Sequence, residues 1–318
     1  MTVWGWLLLI AGILAAVCAG IAFLLAQIAT ARHIGPSWLR IPTPWDAHRD
    51  EVRREVAWFE AQEPENVEII SRDGLRLCGR YLAREGSGQA ILLMHGYRAQ
   101  NGESDFAPVL RFYHEVLGMS VLVIDERAHG ASEGSRICLG LEERFDCAQW
   151  LEWLDARARP QDLFLAGLSM GAATALMATE LEPPENLRCV IADCAYTSPW
   201  DICEHVLKRM YHMPVWPFLP IAGAIIRRVV GADLREAGAL NAMRRNLSVP
   251  VLFIHGARDR FVPTDMGRMN HDACRADKRL VIVPAAAHAM SLWEDAEGVK
   301  AEISAFIARH SRFSICRA

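Results

Sequence analysis

From Val3 to Ala26 the chain runs without a charge, and only glycines and Cys18 interrupt its strongly apolar residues. As a helix, these 24 residues would be roughly 36 Å long, enough to cross a hydrocarbon layer of about 30 Å. Trp4 and Trp6 stand at its start, where interfacial aromatic residues belong. A cleaved leader fits less well, because Met1-Thr2-Val3 carries no charged side chain and the apolar run is long. A lipoprotein site at Cys18 is disfavoured by Val17 before it and by the apolar residues after it. The pattern therefore predicts a transmembrane anchor over residues 1–30, then a polar connector over 31–65. A short amphipathic helix is expected around His48–Arg54.

Beyond the connector the period changes. Val67–Ile70 and Leu75–Leu82 read as a hairpin around Asp73-Gly74. Six short apolar runs follow: Ala90–Met94, Ser120–Asp125, Asp162–Ala166, Val190–Asp193, Val251–Ile254 and Arg279–Val283. They are rich in Val, Ile and Leu, as strands covered on both faces are. Helical stretches separate them, at Phe106–Leu117, Leu141–Ala156, Met170–Leu181, Pro263–Ala276 and Asp295–His310. Strands alternating with helices predict an α/β protein built on a mostly parallel sheet. More than fifty residues part Asp193 from Val251, too many for a simple crossover. With Trp200, Met210, Tyr211, Trp216 and Phe218 among them, they read as a helical cap inserted at about 197–247.

Composition narrows the partners. Of 318 residues, 52% are hydrophobic and 23% charged, which excludes a disordered or low-complexity chain. A net charge of −4 gives no basic field for nucleic acid. The nine cysteines show neither C-x-x-C pairs nor zinc-type spacing. They fit small buried apolar residues in a reducing compartment, and no metal and no organic cofactor is expected.

The chemistry gathers at predicted strand ends. Gly167-Leu168-Ser169-Met170-Gly171 joins a buried strand to a helix, the setting of a G-x-S-x-G elbow. Small residues two before and two after Ser169 allow a tight turn that exposes its hydroxyl, and Met170 N–H starts the helix, where negative charge is favoured. A serine hydroxyl needs a base, and the base needs a carboxylate to orient it. His288 follows the last strand, and Asp259 follows the strand Val251–Ile254. Asp193, also past a strand, is the alternative acid. His95-Gly96-Tyr97 follows Met94, so Tyr97 N–H is expected beside Met170 N–H as an oxyanion donor. His95, His129 and His255 lie beside glycines and suit loop-building or oxyanion-side roles, with His255 placed to hydrogen-bond the acid loop.

On these residues, positions 67–310 resemble the α/β-hydrolase superfamily of serine hydrolases. The likeness rests on His95-Gly96-Tyr97, Asp125-Glu126-Arg127-Ala128-His129-Gly130-Ala131-Ser132, the Ser169 elbow, His255-Gly256 through Asp259, and His288. The pattern is nearest to membrane-anchored bacterial hydrolases of the monoacylglycerol-lipase-like and prolyl-oligopeptidase-like branch. Ala128 departs from it, since the family usually has glycine there. The resemblance implies an α/β-hydrolase fold: a mostly parallel eight-stranded sheet flanked by helices, with a helical cap and the N-terminal transmembrane helix. It implies a serine hydrolase that cleaves ester or thioester bonds, the substrate a small-molecule or lipid ester with an apolar acyl chain. Two alternatives stay open. One is a serine aminopeptidase or acylpeptide hydrolase, with Asp201 and Glu204 as candidate amine-binding carboxylates; the other is a non-catalytic binding protein of the same fold.

Orientation follows from charge. No Lys or Arg precedes the apolar run, whereas Arg32, Arg40 and Arg49 lie close after it. This favours a cytoplasmic hydrolase domain on a single-pass membrane protein, as do the unpatterned cysteines; an extracytoplasmic domain is the alternative.

Overall fold

A computed structural model describes residues 2–33, 47–99 and 101–312. Eight strands form one sheet in the order β1-β2-β4-β3-β5-β6-β7-β8. The hairpin β1 (Glu65–Ile70) and β2 (Arg76–Leu82) is antiparallel, and β2 is also antiparallel to β4 (Ser120–Ile124). From β4 onward every pairing is parallel, through β3 (Gln89–Met94), β5 (Asp162–Leu168), β6 (Leu187–Asp193), β7 (Val251–Gly256) and β8 (Lys278–Val283). Alternate residues of one strand enter opposite cores. Leu92 and Leu165 join one apolar cluster, while Ile91, Leu93 and Phe164 join the other. That is why these strands read as unbroken apolar runs.

Most predicted elements appear within a few residues of their expected bounds, and the exceptions have local causes. α3 (Gly102–Arg111) starts before Phe106, because the Asn101 side chain accepts from Ser104 N–H and caps it. Phe112–Val116 continues it as a π-helix. The amphipathic helix expected near 48–54 is longer: α2 spans Arg49–Ala61 and buries Phe59. Residues 34–46 of the expected connector lie outside the described residues. α4 (Glu143–Ala158), α5 (Met170–Ala178), α9 (Thr264–Ala273), the short α10 (Ser291–Glu294) and α11 (Ala296–His310) complete the layers. Between β6 and β7, where the cap was expected, lie α6 (Pro199–Arg209), α7 (Phe218–Val230) and α8 (Ala239–Arg245).

α1 runs from Val3 to Thr30 and is long and apolar enough to cross a membrane. Its two halves differ. Leu7, Leu8, Ile13, Leu14 and Val17 are exposed, whereas Ala22, Ala26 and Thr30 are buried, Ala22 and Ala26 within the apolar cluster that also takes in Ala222 and Ile226 of α7. Small side chains on that stripe let the helix come close to the rest of the fold.

Candidate active site

The parallel strands end along one edge, and the loops that leave it bring the chemistry together. Ser169 follows β5 at φ 54° and ψ −110°, a conformation that L residues rarely adopt. The elbow tolerates this because its flanks lack side chains. A Cβ on Gly167 would collide with the backbone of Gly171 and Ala172, and one on Gly171 with the backbone of Met94 and His95. Ser169 Oγ lies 2.9 Å from His288 Nε2, and His288 Nδ1 lies 2.7 Å from Asp259 Oδ2. Residues 119 and 29 positions apart thus form one hydrogen-bonded line.

Asp259 sits in a dense set of donors. Its Oδ1 accepts the N–H groups of Phe261 at 2.9 Å and Val262 at 2.8 Å. His255 Nε2 is 3.4 Å from Oδ2 and 2.9 Å from Val262 O. Burial pushes the Asp259 carboxyl upward, but the hydrogen bonds and charge of His255 and His288 outweigh it and bring it to about 2. His255 Nδ1 is buried without a partner, packed where α9 passes at Gly267. The alternative acid, Asp193, is 6% exposed and its Oδ1 takes the Ser291 hydroxyl at 3.0 Å. Burial raises it to about 6 against the nearby histidines. The structure therefore brings Asp259, not Asp193, onto His288.

The loop after β3 lies beside the elbow: a Cβ on Gly96 would stand 3.6 Å from Ser169 Cβ. Two buried histidines build it, as the sequence implied. His95 Nε2 is 2.9 Å from Glu126 N, so it accepts and Nδ1–H donates to Gly96 O. His129 Nε2 likewise accepts from Arg98 N–H at 3.1 Å, leaving Nδ1–H for Arg127 O. Burial holds His95 down at about 4 and, with the help of His95, His129 at about 3, so both are neutral at physiological pH. Gly96 N–H donates to Asp105 Oδ2 at 2.8 Å. Asp105 and Ser291 escaped the sequence reading, because a lone aspartate in a helix and a lone loop serine carry no pattern. No acceptor among the described residues takes Tyr97 N–H. Met170 opens α5, whose first N–H groups have no partner within the helix.

The 125–132 loop is a scaffold. Asp125 Oδ2 accepts from Ala131 N–H, and Ser132 Oγ donates to Asp125 O. Ala128, where the family usually has glycine, adopts φ 61°, at a cost of about 1–2 kcal/mol. Arg127 is buried and bonded to both oxygens of Asp146.

In the segment between β6 and β7, Asp201 accepts from Thr197 Oγ1, and Glu204 from Trp200 Nε1 and Lys208. Both carboxylates expected as candidates for a substrate amine are thus already engaged by side chains of that same segment. α6 reaches the acid loop through His205 Nε2, 3.0 Å from Arg260 O. Cys194, Asp259 and His288 have potential ligand atoms within 4.8 Å of one another. Burial raises the Cys194 thiol far above its ordinary value, and Asp259 and His288 already bond each other, so this group suits a proton relay better than a cation.

The chain is similar to known proteins. The family described as serine aminopeptidase, S33, matches residues 87–230. The Bacillus subtilis protein YqkD is 29% identical over 252 residues, covering 78% of this chain and 81% of its own. The Danio rerio lysophosphatidylserine lipase ABHD12 is 28% identical over 202 residues, or 62% of this chain and 50% of that one. Among solved structures, the Pyrococcus furiosus esterase Pf2001 superposes with a TM-score of 0.65 at 22% identity, over 87% of this chain and 99% of that one. The chain has the α/β-hydrolase fold, and its residues 87–230 match the serine aminopeptidase, S33, family.

Proposed function

We propose that this protein is a membrane-anchored serine hydrolase that cleaves carboxylic ester or thioester bonds of apolar acyl substrates, lipid esters among them. The observation that carries the reading is the line from Ser169 Oγ to His288 Nε2 at 2.9 Å and from His288 Nδ1 to Asp259 Oδ2 at 2.7 Å. Ser169 attacks the acyl carbon as His288 Nε2 takes its proton. Asp259 accepts from Nδ1–H, which fixes the imidazole tautomer and stabilises the imidazolium. The N–H groups of Tyr97 and Met170 receive the oxyanion. His288 then protonates the leaving group, and water, activated by the same base, frees the acid from Ser169. A filled triad argues against a silent binding protein. The engaged state of Asp201 and Glu204 favours an ester over an aminopeptidase substrate. The printed name of the Danio rerio relative points to lipid esters as well.

α1 is the anchor, residues 66–318 the hydrolase domain and 197–247 its cap. The cytoplasmic side suits the basic residues after α1 and the eight free cysteines among the described residues. Because those thiols are buried or half-buried, topology is best read on a cysteine placed at an exposed site, such as Glu152→Cys. Protection from an impermeant maleimide in intact cells is expected, and labelling reverses the orientation.

The function is tested with a fluorophosphonate probe and a p-nitrophenyl ester series run beside aminoacyl-nitroanilides. Labelling lost in Ser169→Ala and a kcat/KM that rises with acyl length are expected, each buried methylene contributing about 0.8 kcal/mol. Labelling that survives in Ser169→Ala overturns the nucleophile, and faster anilide than ester cleavage overturns the substrate class.

A further inference from the structure

The C-terminal end of α1 does not leave the domain as a free tether. The last carbonyls of a helix lack intrahelical partners and must find others. Here the loops of the candidate active site supply them. Arg98 Nη2 donates to Ile28 O and Ala31 O, each at 2.8 Å, and Nη1 to Arg32 O at 3.4 Å. The Tyr97 hydroxyl lies 2.9 Å from Ile28 O and 3.1 Å from Ala29 O. Ile137 N–H takes Thr30 O at 2.6 Å. In return, Arg32 donates to Gly130 O at 2.6 Å and Ser132 O at 2.7 Å, and Arg136 to Gln27 Oε1 at 2.6 Å. Three guanidinium groups thus gather at the negative end of the helix dipole.

Two of the residues that grip α1, Tyr97 and Arg98, also shape the turn beside Ser169. Ala99 N–H closes on Gly96 O at 3.2 Å, placing Tyr97 and Arg98 at the turn's centre. Arg98 holds φ 58°, which a type II turn requires of its third residue and which a residue with a side chain adopts only when held. His129 holds its N–H and α1 holds its guanidinium. The 129–134 loop that carries His129 is itself held by Arg32, so the ring of contacts closes.

We infer that Arg98 is a positioning residue. By clamping the C-terminal turn of α1 it fixes the turn that presents Tyr97 N–H to the oxyanion, so turnover at Ser169 depends on the docked apolar helix. The inference rests on the Ser169 reading above. A misplacement of about 1 Å at a reacting centre costs up to about 10²-fold in rate, and an oxyanion donor is worth about 10²–10³-fold.

The test uses the full chain in detergent or nanodiscs with a short soluble ester. Arg98→Ala is expected to lower kcat about 10- to 100-fold, with KM within about threefold and phosphonate labelling slowed in parallel. Arg98→Lys restores part of kcat, because an ammonium reaches the same carbonyls. Tyr97→Phe, which keeps the N–H and loses the hydroxyl, falls less than Arg98→Ala. If Arg98→Ala loses thermal stability while kcat per folded molecule stays at wild type, the residue is a structural clamp and the inference fails alone. If Ser169→Ala, run beside it, still hydrolyses the ester, the Ser169 reading fails and takes the inference with it.

Discussion

Strand β6 ends in Asp193 and the loop after its neighbour β7 carries Asp259; both lie close to His288, and the two carboxyls behave in opposite ways. Both are almost fully buried: Asp193 is 6% and Asp259 7% exposed. Yet Asp259 is drawn down to about 2 while Asp193 is raised to about 6. Burial is therefore not what separates them. The loop after β7 turns back so that two backbone N–H groups and two imidazoles face Asp259, whereas Asp193 receives the hydroxyl of Ser291. Donors aimed at a buried carboxylate keep it ionised; a hydroxyl beside it does not overcome desolvation. The ionised one can orient a histidine and balance its charge, and the other serves the site better as a neutral or half-neutral brace.

The largest effect expected from this contrast is on turnover. Asp259→Asn should lower kcat by about 10⁴, because an amide turned to donate favours the wrong tautomer of His288. Asp193→Asn should cost less than about tenfold, its contact being with Ser291 and not with the base. Steady-state kinetics on one ester decides it, and equal losses in the two variants break the comparison.

A smaller effect tests the donors themselves. Asp259 has a folded pKa below its ordinary value of 3.8, so its stabilising contribution is present above that value and is lost as pH falls through about 2. Removing His255 takes away one of the groups that hold it down. The folded pKa then moves up toward the ordinary value and the acid-unfolding midpoint rises with it. His255→Leu should show this shift with a kcat loss of about tenfold or less, while His255→Gln, which keeps a donor, shifts less. Acid titration of the near-ultraviolet circular dichroism reads the midpoint. A midpoint that stays put in His255→Leu means that His288 and the backbone suffice.

Part of this contrast was legible in the sequence and part was not. Ser169, Asp259 and His288 each announce themselves by following an apolar strand, and parallel strands put their C-terminal ends on one edge. The elbow glycines are equally readable, because the steric demand of the turn acts within five residues. The choice between Asp259 and Asp193 rested on chain position, since both follow strands. What separates them physically is the fold of 259–262 back onto Oδ1, a matter of a few backbone torsions. The tie between α1 and Arg98 was beyond reach for another reason. The sequence pattern ends the anchor at residue 30, and α1 ends at Thr30, but nothing in that stretch announces that the helix end finds hydrogen-bond partners some 70 to 100 residues away. Long-range partners of backbone carbonyls leave no periodic trace.

The smallest expected effect is on the stability of the β6 side. A carboxyl whose folded pKa is raised favours the folded state only while protonated. That contribution is complete below about 3.8 and is lost as pH rises through about 6, after which a constant penalty remains. Asparagine at 193 never ionises, and its carbonyl accepts the Ser291 hydroxyl as the carboxyl does. Asp193→Asn should therefore lose the part of the pH dependence that falls between about 4 and 6 and be more stable than wild type at pH 7–8. A shift of about two units sets the ceiling near 3 kcal/mol, and reorientation of the new amide group leaves about 1–2 kcal/mol of it. The opposite sign would show in the same melts. A variant that loses more stability at pH 8 than at pH 4 means that ionised Asp193 is held by the imidazoles of His255 and His288, and the two carboxylates then form one shared charge site.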